Sequence, residues 1–235
     1  MEVVGGPAPG VFWAPSATDP SAPPPPVVLL GHGGSGHKLS ARNLDLANRL
    51  AREGVASYAI DGPLHGERAA APGSGDYQTR LARTGMDVVL DRMTGDWLTG
   101  LDLLAARGSI DPDRVGVVGL SMGARFGIPL AAALEQRLRC AVFGKFGLRA
   151  APPSLAALDT PRRHAEAATR ITAPVLLHVQ QDDEIFPLEG QLALFECFGG
   201  SGKRAIQAAG RHATPIAESE IADWIKWLAR EMLTP

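Results

Sequence analysis

The sequence predicts an α/β protein, a mostly parallel, doubly wound sheet flanked by helices, with its site at the C-terminal ends of the strands. Three observations carry this. Short apolar runs recur at Val27 to Leu30, Val55 to Ile60, Val115 to Val118, Ala141 to Phe143 and Val175 to Val179, as expected of parallel strands covered on both faces. Stretches with helical spacing separate them. The chain of 235 residues, 45% hydrophobic, is long enough to bury one large core, and residues 1–235 read as a single domain.

Residues 1–26 supply an N-terminal strand and a connector. The stretch 14–26 is rich in Pro, Ser and Ala and ends in Pro23 to Pro26, a composition that favours an extended segment over a packed element. The core begins at Val27. Beyond that strand, Leu44, Ala47, Leu50 and Ala51 share one helical face, and Val89, Met93, Trp97, Leu101 and Leu104 form a longer one, with Asp87, Asp91, Asp96 and Asp102 set among them. Residues 148–173 form a short insertion before the Val175 strand, with Pro152-Pro153 and a predicted helix around Arg162 to Thr169; it is expected to act as a small lid. Arg204 to Gln207 reads as a last short strand. Ile221, Trp224, Ile225, Leu228 and Met232 then give the terminal helix a core-facing stripe.

Composition excludes several functions. A formal net charge of −2 without a basic run argues against nucleic-acid binding. The N-terminus lacks the cationic and apolar regions of a secretion signal, and no stretch reaches the ~18 apolar residues of a membrane span, so a cytoplasmic protein without membrane contact is expected. Cys140 and Cys197, the two cysteines, fit reduced thiols better than a disulfide scaffold. The expected partner is a small, roughly neutral molecule.

Chemistry concentrates in three places. Gly119-Leu120-Ser121-Met122-Gly123 follows an apolar run and leads into a predicted helix, the context of a G-x-S-x-G turn in which a serine is raised into a cleft as a candidate nucleophile. A serine is a poor nucleophile unless a base removes its proton and donors stabilise the oxyanion. Asp182-Asp183-Glu184 stand directly after the Val175 strand, and Gly210-Arg211-His212 lie in a turn before the terminal helix, which supplies carboxylates and a histidine.

With these residues the chain resembles the α/β-hydrolase family, whose triad runs Ser, Asp or Glu, then His. The resemblance extends from about Val27 to the C-terminus. It is nearest to small dienelactone-hydrolase-like and prolyl-oligopeptidase-like serine esterases, through His32-Gly33-Gly34, Asp61-Gly62-Pro63-Leu64-His65-Gly66-Glu67-Arg68 and Asp111-Pro112-Asp113-Arg114. It implies an α/β-hydrolase fold, with Ser121 as nucleophile, His212 as general base and then acid, and Asp183 as the orienting carboxylate, with Asp182 competing. The expected activity is that of a carboxylesterase on a small ester, with thioester, lactone and peptide bonds left open. Neither cofactor nor metal is implied. Backbone N–H groups of Gly34 and Met122 are expected to form the oxyanion hole, and Leu64, Met122, Leu148, Leu155 and Phe186 are candidate apolar walls, Leu64 and Phe186 foremost. Two positions depart from the family pattern: Gln180 replaces a glycine common three residues before the acid, and Arg125 stands where a small residue is frequent. Dienelactone hydrolases proper also carry cysteine where this chain has Ser121, which weakens any transfer of their substrate.

Rival readings exist. Gly31-His32-Gly33-Gly34-Ser35-Gly36 satisfies G-x-G-x-x-G, with Asp61 ending the next strand, as in an NAD(P)-dependent oxidoreductase. That reading leaves the serine turn and the Asp183 and His212 loops as coincidences. His37 in the lysine position argues against a phosphate-binding P-loop. His32, His37, His65 and His178 lack a recognised zinc spacing. A ligand-binding protein without turnover is a third possibility. Asp61, His65, Glu67 and Arg68 are expected to order a loop, through an ion pair of Glu67 with Arg68 or a neighbour, while Arg125 and Lys145 stay open between substrate contact and structural pairing.

Overall fold

The computed structural model describes residues 1–15, 22–69 and 76–234. Part of the predicted connector, residues 16–21, lies outside them. Among the described residues one sheet holds β1 (Glu2–Val4), β2 (Gly10–Trp13), β3 (Val27–Gly31), β4 (Ala56–Ile60), β5 (Val115–Leu120), β6 (Leu138–Gly144), β7 (Val175–Gln180) and β8 (Arg204–Ala208). The spatial order is β1-β2-β4-β3-β5-β6-β7-β8. The strand expected in residues 1–26 is in fact two, β1 and β2, joined antiparallel, and β2 also runs antiparallel to β4. All pairs from β4 to β8 are parallel.

Seven helices cover the described sheet: α1 (Ala41–Arg52), α2 (Tyr77–Thr84), α3 (Met86–Ala106), α4 (Met122–Leu134), α5 (Pro161–Arg170), α6 (Leu188–Cys197) and α7 (Glu218–Leu233). The central strands β3 to β7 are buried at almost every position because each face meets helices. In β3, Val27 and Leu29 join the core that contains Val89, Met93 and Trp97 of α3 and Phe126 of α4, whereas Val28 and Leu30 join Leu46 and Leu50 of α1 and Trp224 and Leu228 of α7. This alternation is the two-residue period of a strand turned into two cores. Cys140 is buried in β6, and Cys197 ends α6; both thiols are free.

The insertion divides into two parts. Pro153–Leu158 forms a 3₁₀ turn, but α5 packs against α4 and α6 as an ordinary layer helix. A parallel β6-to-β7 connection needs a helix on one face to return the chain, so α5 is the crossover and only the 3₁₀ turn is available to cover a site. The chain winds outward from β3 to β4 on one side and from β5 to β6 on the other. The reversal places a crevice at the C-terminal ends of β3 and β5.

Candidate active site

Ser121 leaves β5 and precedes α4 with φ 55° and ψ −119°. A left-handed φ at a side-chain-bearing residue is strained, and close backbone packing holds it. A Cβ on Gly123 would lie 2.7 Å from the Gly31 carbonyl oxygen, and one on Gly119 would overlap the Gly123 backbone. The Ser121 N–H donates to the Gly144 carbonyl at 2.9 Å, and the Ser121 carbonyl accepts from the Ala124 and Arg125 N–H groups, each at 3.0 Å. The serine is thereby pinned on the wall of a cavity of about 330 Å³.

His212 reaches the same cavity from the loop after β8. Its Nε2 lies 3.0 Å from Ser121 Oγ, and its Nδ1 lies 2.8 Å from Asp183 Oδ2. Asp183 is buried, and its other oxygen accepts from the Ile185 and Phe186 N–H groups, each at 2.8 Å. With Nδ1–H donating to Asp183, Nε2 is left to accept the serine proton. Asp182 instead accepts from the Gly210 N–H at 3.0 Å and braces the loop. The geometry thus pairs His212 with Asp183.

Two residues whose part the sequence left unstated or open hold the His212 loop. The Glu184 carboxylate accepts the His212 N–H at 3.0 Å, a bond that, with Arg211 nearby, pulls its pKa down to about 2. Lys145, buried at the end of β6 with φ 49°, donates from Nζ to the carbonyls of His212, at 2.9 Å, and Thr214. Burial pushes its pKa below the ordinary lysine value. Lys145 therefore ties the loop. Gln180, in place of a glycine, is a second tie: its side chain donates to the Ala209 carbonyl at 2.7 Å.

On the opposite side, Gly34 and Met122 line the cavity. Met122 opens α4, where the first amide N–H groups have no partner inside the helix and carry the positive end of its dipole. The Gly33 carbonyl accepts from His32 Nδ1–H at 2.8 Å and from the Gly36 N–H at 3.0 Å. Because a trans peptide aims its N–H opposite its carbonyl, the Gly34 N–H is directed away from both. His32 Nε2 accepts from the Gly62 N–H at 2.8 Å, and burial lowers the ring pKa to about 4, so the ring is neutral and its tautomer fixed. His65 adds a stitch, with Nε2 2.9 Å from the Gly34 carbonyl and Nδ1 2.8 Å from that of Pro63. Loops 32–36 and 61–66 are thus laced together by two imidazoles.

The same loops are fixed from below by charge. Buried Lys38 donates from Nζ to Asp61 Oδ2 at 2.6 Å and from its backbone to Oδ1 at 2.8 Å, and pairs with Glu67 at 3.0 Å. Burial works against the Asp61 charge, but the Lys38 and Glu67 hydrogen bonds outweigh it and hold this carboxyl below the usual range. Glu67 therefore pairs with Lys38 and not with Arg68, whose partner is Asp96 at 2.6 Å. The loop Gly31–Gly36 does not open a helix, since α1 starts at Ala41, and so it lacks the strand-turn-helix context of a dinucleotide fingerprint.

Of the expected walls, Met122, Leu155 and Phe186 line the Ser121 cavity. Leu64 does not; it lines a neighbouring cavity, because its own left-handed backbone (φ 64°) turns the chain there. Leu148 packs against the main core. Tyr77, Gln78 and Leu81 of α2 supply a wall that the sequence reading missed. The Tyr77 hydroxyl sits where a Cβ on residue 34 would be, so a side chain there would displace Tyr77. Arg125 also lines the cavity; its guanidinium is buried over the Phe146 ring, 5.4 Å from the centroid, and donates to the Leu158 carbonyl, holding the 3₁₀ turn.

Comparison with known proteins agrees with the fold. The dienelactone hydrolase family is matched over residues 14–204. A cold-adapted esterase from an Arctic intertidal metagenomic library, in a PEG-bound complex, is 29% identical, with a TM-score of 0.78 over 99% of this chain and 92% of that one. An acetyl xylan esterase from Paenibacillus sp. R4 is 21% identical (TM-score 0.70, covering 94% of this chain and 80% of that one), and shares the fold. The monoacylglycerol lipase of Paleococcus ferrophilus, 19% identical with a TM-score of 0.64, covers 98% of this chain and all of its own, and shares it too. No curated protein matches the chain.

Proposed function

Because the chain belongs to the dienelactone hydrolase family of α/β-hydrolases, we propose that it is a serine esterase that cleaves small carboxylic esters through Ser121, His212 and Asp183. The observation that carries this reading is the unbroken run of hydrogen bonds from Ser121 Oγ to His212 Nε2 at 3.0 Å and from His212 Nδ1 to Asp183 Oδ2 at 2.8 Å.

Ser121 Oγ attacks the ester carbonyl carbon while His212 Nε2 takes its proton. The carbonyl electrons move onto oxygen, and the N–H groups of Gly34 and Met122 stabilise that charge, at about 3 kcal/mol per donor where water is excluded. Collapse of the tetrahedral adduct breaks the bond to the alcohol, which leaves with the proton held by His212. Water then repeats the sequence on the acyl-serine and releases the acid. Asp183 keeps the imidazole in the tautomer that both steps need. A cavity of about 330 Å³, bounded by Leu155, Leu158, Phe186 and Tyr77, favours short or compact substrates.

A fluorophosphonate should label Ser121 in the wild type and nothing in Ser121→Ala, and a 4-nitrophenyl series should be hydrolysed fastest at acetyl to butyryl. An intact protein that neither labels nor turns over would be a ligand-binding protein on a hydrolase scaffold.

A further inference from the structure

A second cavity, of about 380 Å³, adjoins the Ser121 cavity along α2. Its lining includes four arginines, Arg68, Arg80, Arg83 and Arg92, together with Leu64 and Leu81, and no carboxylate. Such a concentration of one charge is unusual on a chain with a net charge of −2. Leu81 belongs to both cavities. Tyr77, Gln78 and Leu81 face the serine, while Arg80, Leu81 and Thr84 face the arginine groove, so the two are adjacent faces of one short helix.

The arginines differ in how they are held. Arg68 is preset, donating to the Asp61 carbonyl at 3.1 Å and pairing with Asp96 at 2.6 Å. Arg83 and Arg92 are exposed and make no hydrogen bond or ion pair among the described residues. Guanidinium forks match phosphate oxygens in pairs, and several converging forks favour a dianion over a carboxylate. Leu64, at φ 64°, holds a conformation that a branched side chain seldom adopts, on the rim of this groove and next to the His65 stitch. Strain of this kind persists where a site demands it.

We infer that the arginine groove beside α2 binds a phosphate group carried by the ester substrate, so that the ester sits at Ser121 while its charged arm crosses Leu81 into the groove. The inference rests on the esterase reading and gives its substrate a chemical class. The arm must cross one side chain of α2, Leu81, a span of half to one helix width, ~5–10 Å, which corresponds to a chain of roughly four to eight bonds.

The test compares hexyl butyrate with 6-phosphohexyl butyrate and its carboxylate analogue, and with isomers carrying the charged arm on the acyl side. The phosphate ester is expected to exceed the neutral one at least tenfold in kcat/KM, for one placement of the arm. That ratio should fall toward one in the Arg83→Ala/Arg92→Ala double variant, and it should shrink as salt rises from 20 to 500 mM, since exposed charges are screened. Equal rates for charged and neutral esters, a carboxylate ester preferred over the phosphate, or a ratio that survives the double substitution would each overturn the assignment. If neither neutral nor charged esters are cleaved, the esterase reading fails on its own, and titration of Ser121→Ala with 6-hydroxyhexyl phosphate still decides the groove. Binding weakened at least fivefold by the double substitution supports it, and no binding refutes it.

Discussion

Replacing His32 by glutamine should flatten the acid limb of this protein's stability curve. His32 is 2% exposed and spends both ring nitrogens on backbone groups of Gly33 and Gly62, an arrangement that requires a neutral ring. Burial holds its folded pKa at about 4, against 6.5 when unfolded. As pH falls through 6.5 the unfolded chain takes up the proton first, so stability present at neutral pH is lost progressively until about pH 4. The linkage relation gives a loss of about 2 kcal/mol between pH 7 and pH 5, and about 3 kcal/mol in full. Glutamine does not titrate. Urea unfolding followed by tryptophan fluorescence, at pH 7 and pH 5 in both proteins, should show the wild type losing about 2 kcal/mol more than the variant. His164, whose pKa burial also lowers, contributes to both and cancels in the comparison. Equal losses would refute a neutral His32 as the lock of the loop that carries Gly34.

Asp183→Asn should lower kcat by about 10³–10⁴, because the amide disturbs the working tautomer of His212, whereas Asp182→Asn should change it less than tenfold; equal losses on 4-nitrophenyl acetate would show that loop bracing, and not imidazole orientation, is what matters. Lys145→Met leaves the carbonyls of His212 and Thr214 without a buried donor, and should cost roughly 2 kcal/mol of stability with a drop in kcat, read by thermal melting and steady-state kinetics. Gly123→Ala drives a Cβ to 2.7 Å from the Gly31 carbonyl oxygen, backbone against backbone, and should destabilise by at least about 2 kcal/mol; a melting temperature within 2 °C of wild type would contradict that packing.

The parts of this architecture legible in the sequence are those written locally. Continuous apolar runs gave β3 through β7, and the i, i+3, i+4 stripe of Trp224, Ile225 and Leu228 gave α7, because burial on two faces or one leaves a distinct period. The glycines around Ser121 marked the turn for the same reason, a short-range steric demand. What escaped depends on contacts between distant segments. Lys145 is 67 residues from the His212 carbonyl it binds, and nothing in its own neighbourhood signals that partner. Helix α2 reads as polar, so the Tyr77 and Leu81 wall was invisible until α2 packed against α3 and the 3₁₀ turn. Leu64 was assigned to the wrong cavity because a bulky residue at positive φ sends the chain where no propensity would send it. The hairpin of β1 and β2 was read as one strand because its first member is only three residues long.

The 3₁₀ turn at Pro153–Leu158 hangs between the end of β6 and the crossover helix α5, outside the ladder of bonds that fixes Ser121, Asp183 and His212. That separation makes it a natural grafting point. Longer or shorter segments grafted there should resize the cavity beside Ser121 while the hydrogen bonds among Ser121, His212 and Asp183 stay in register.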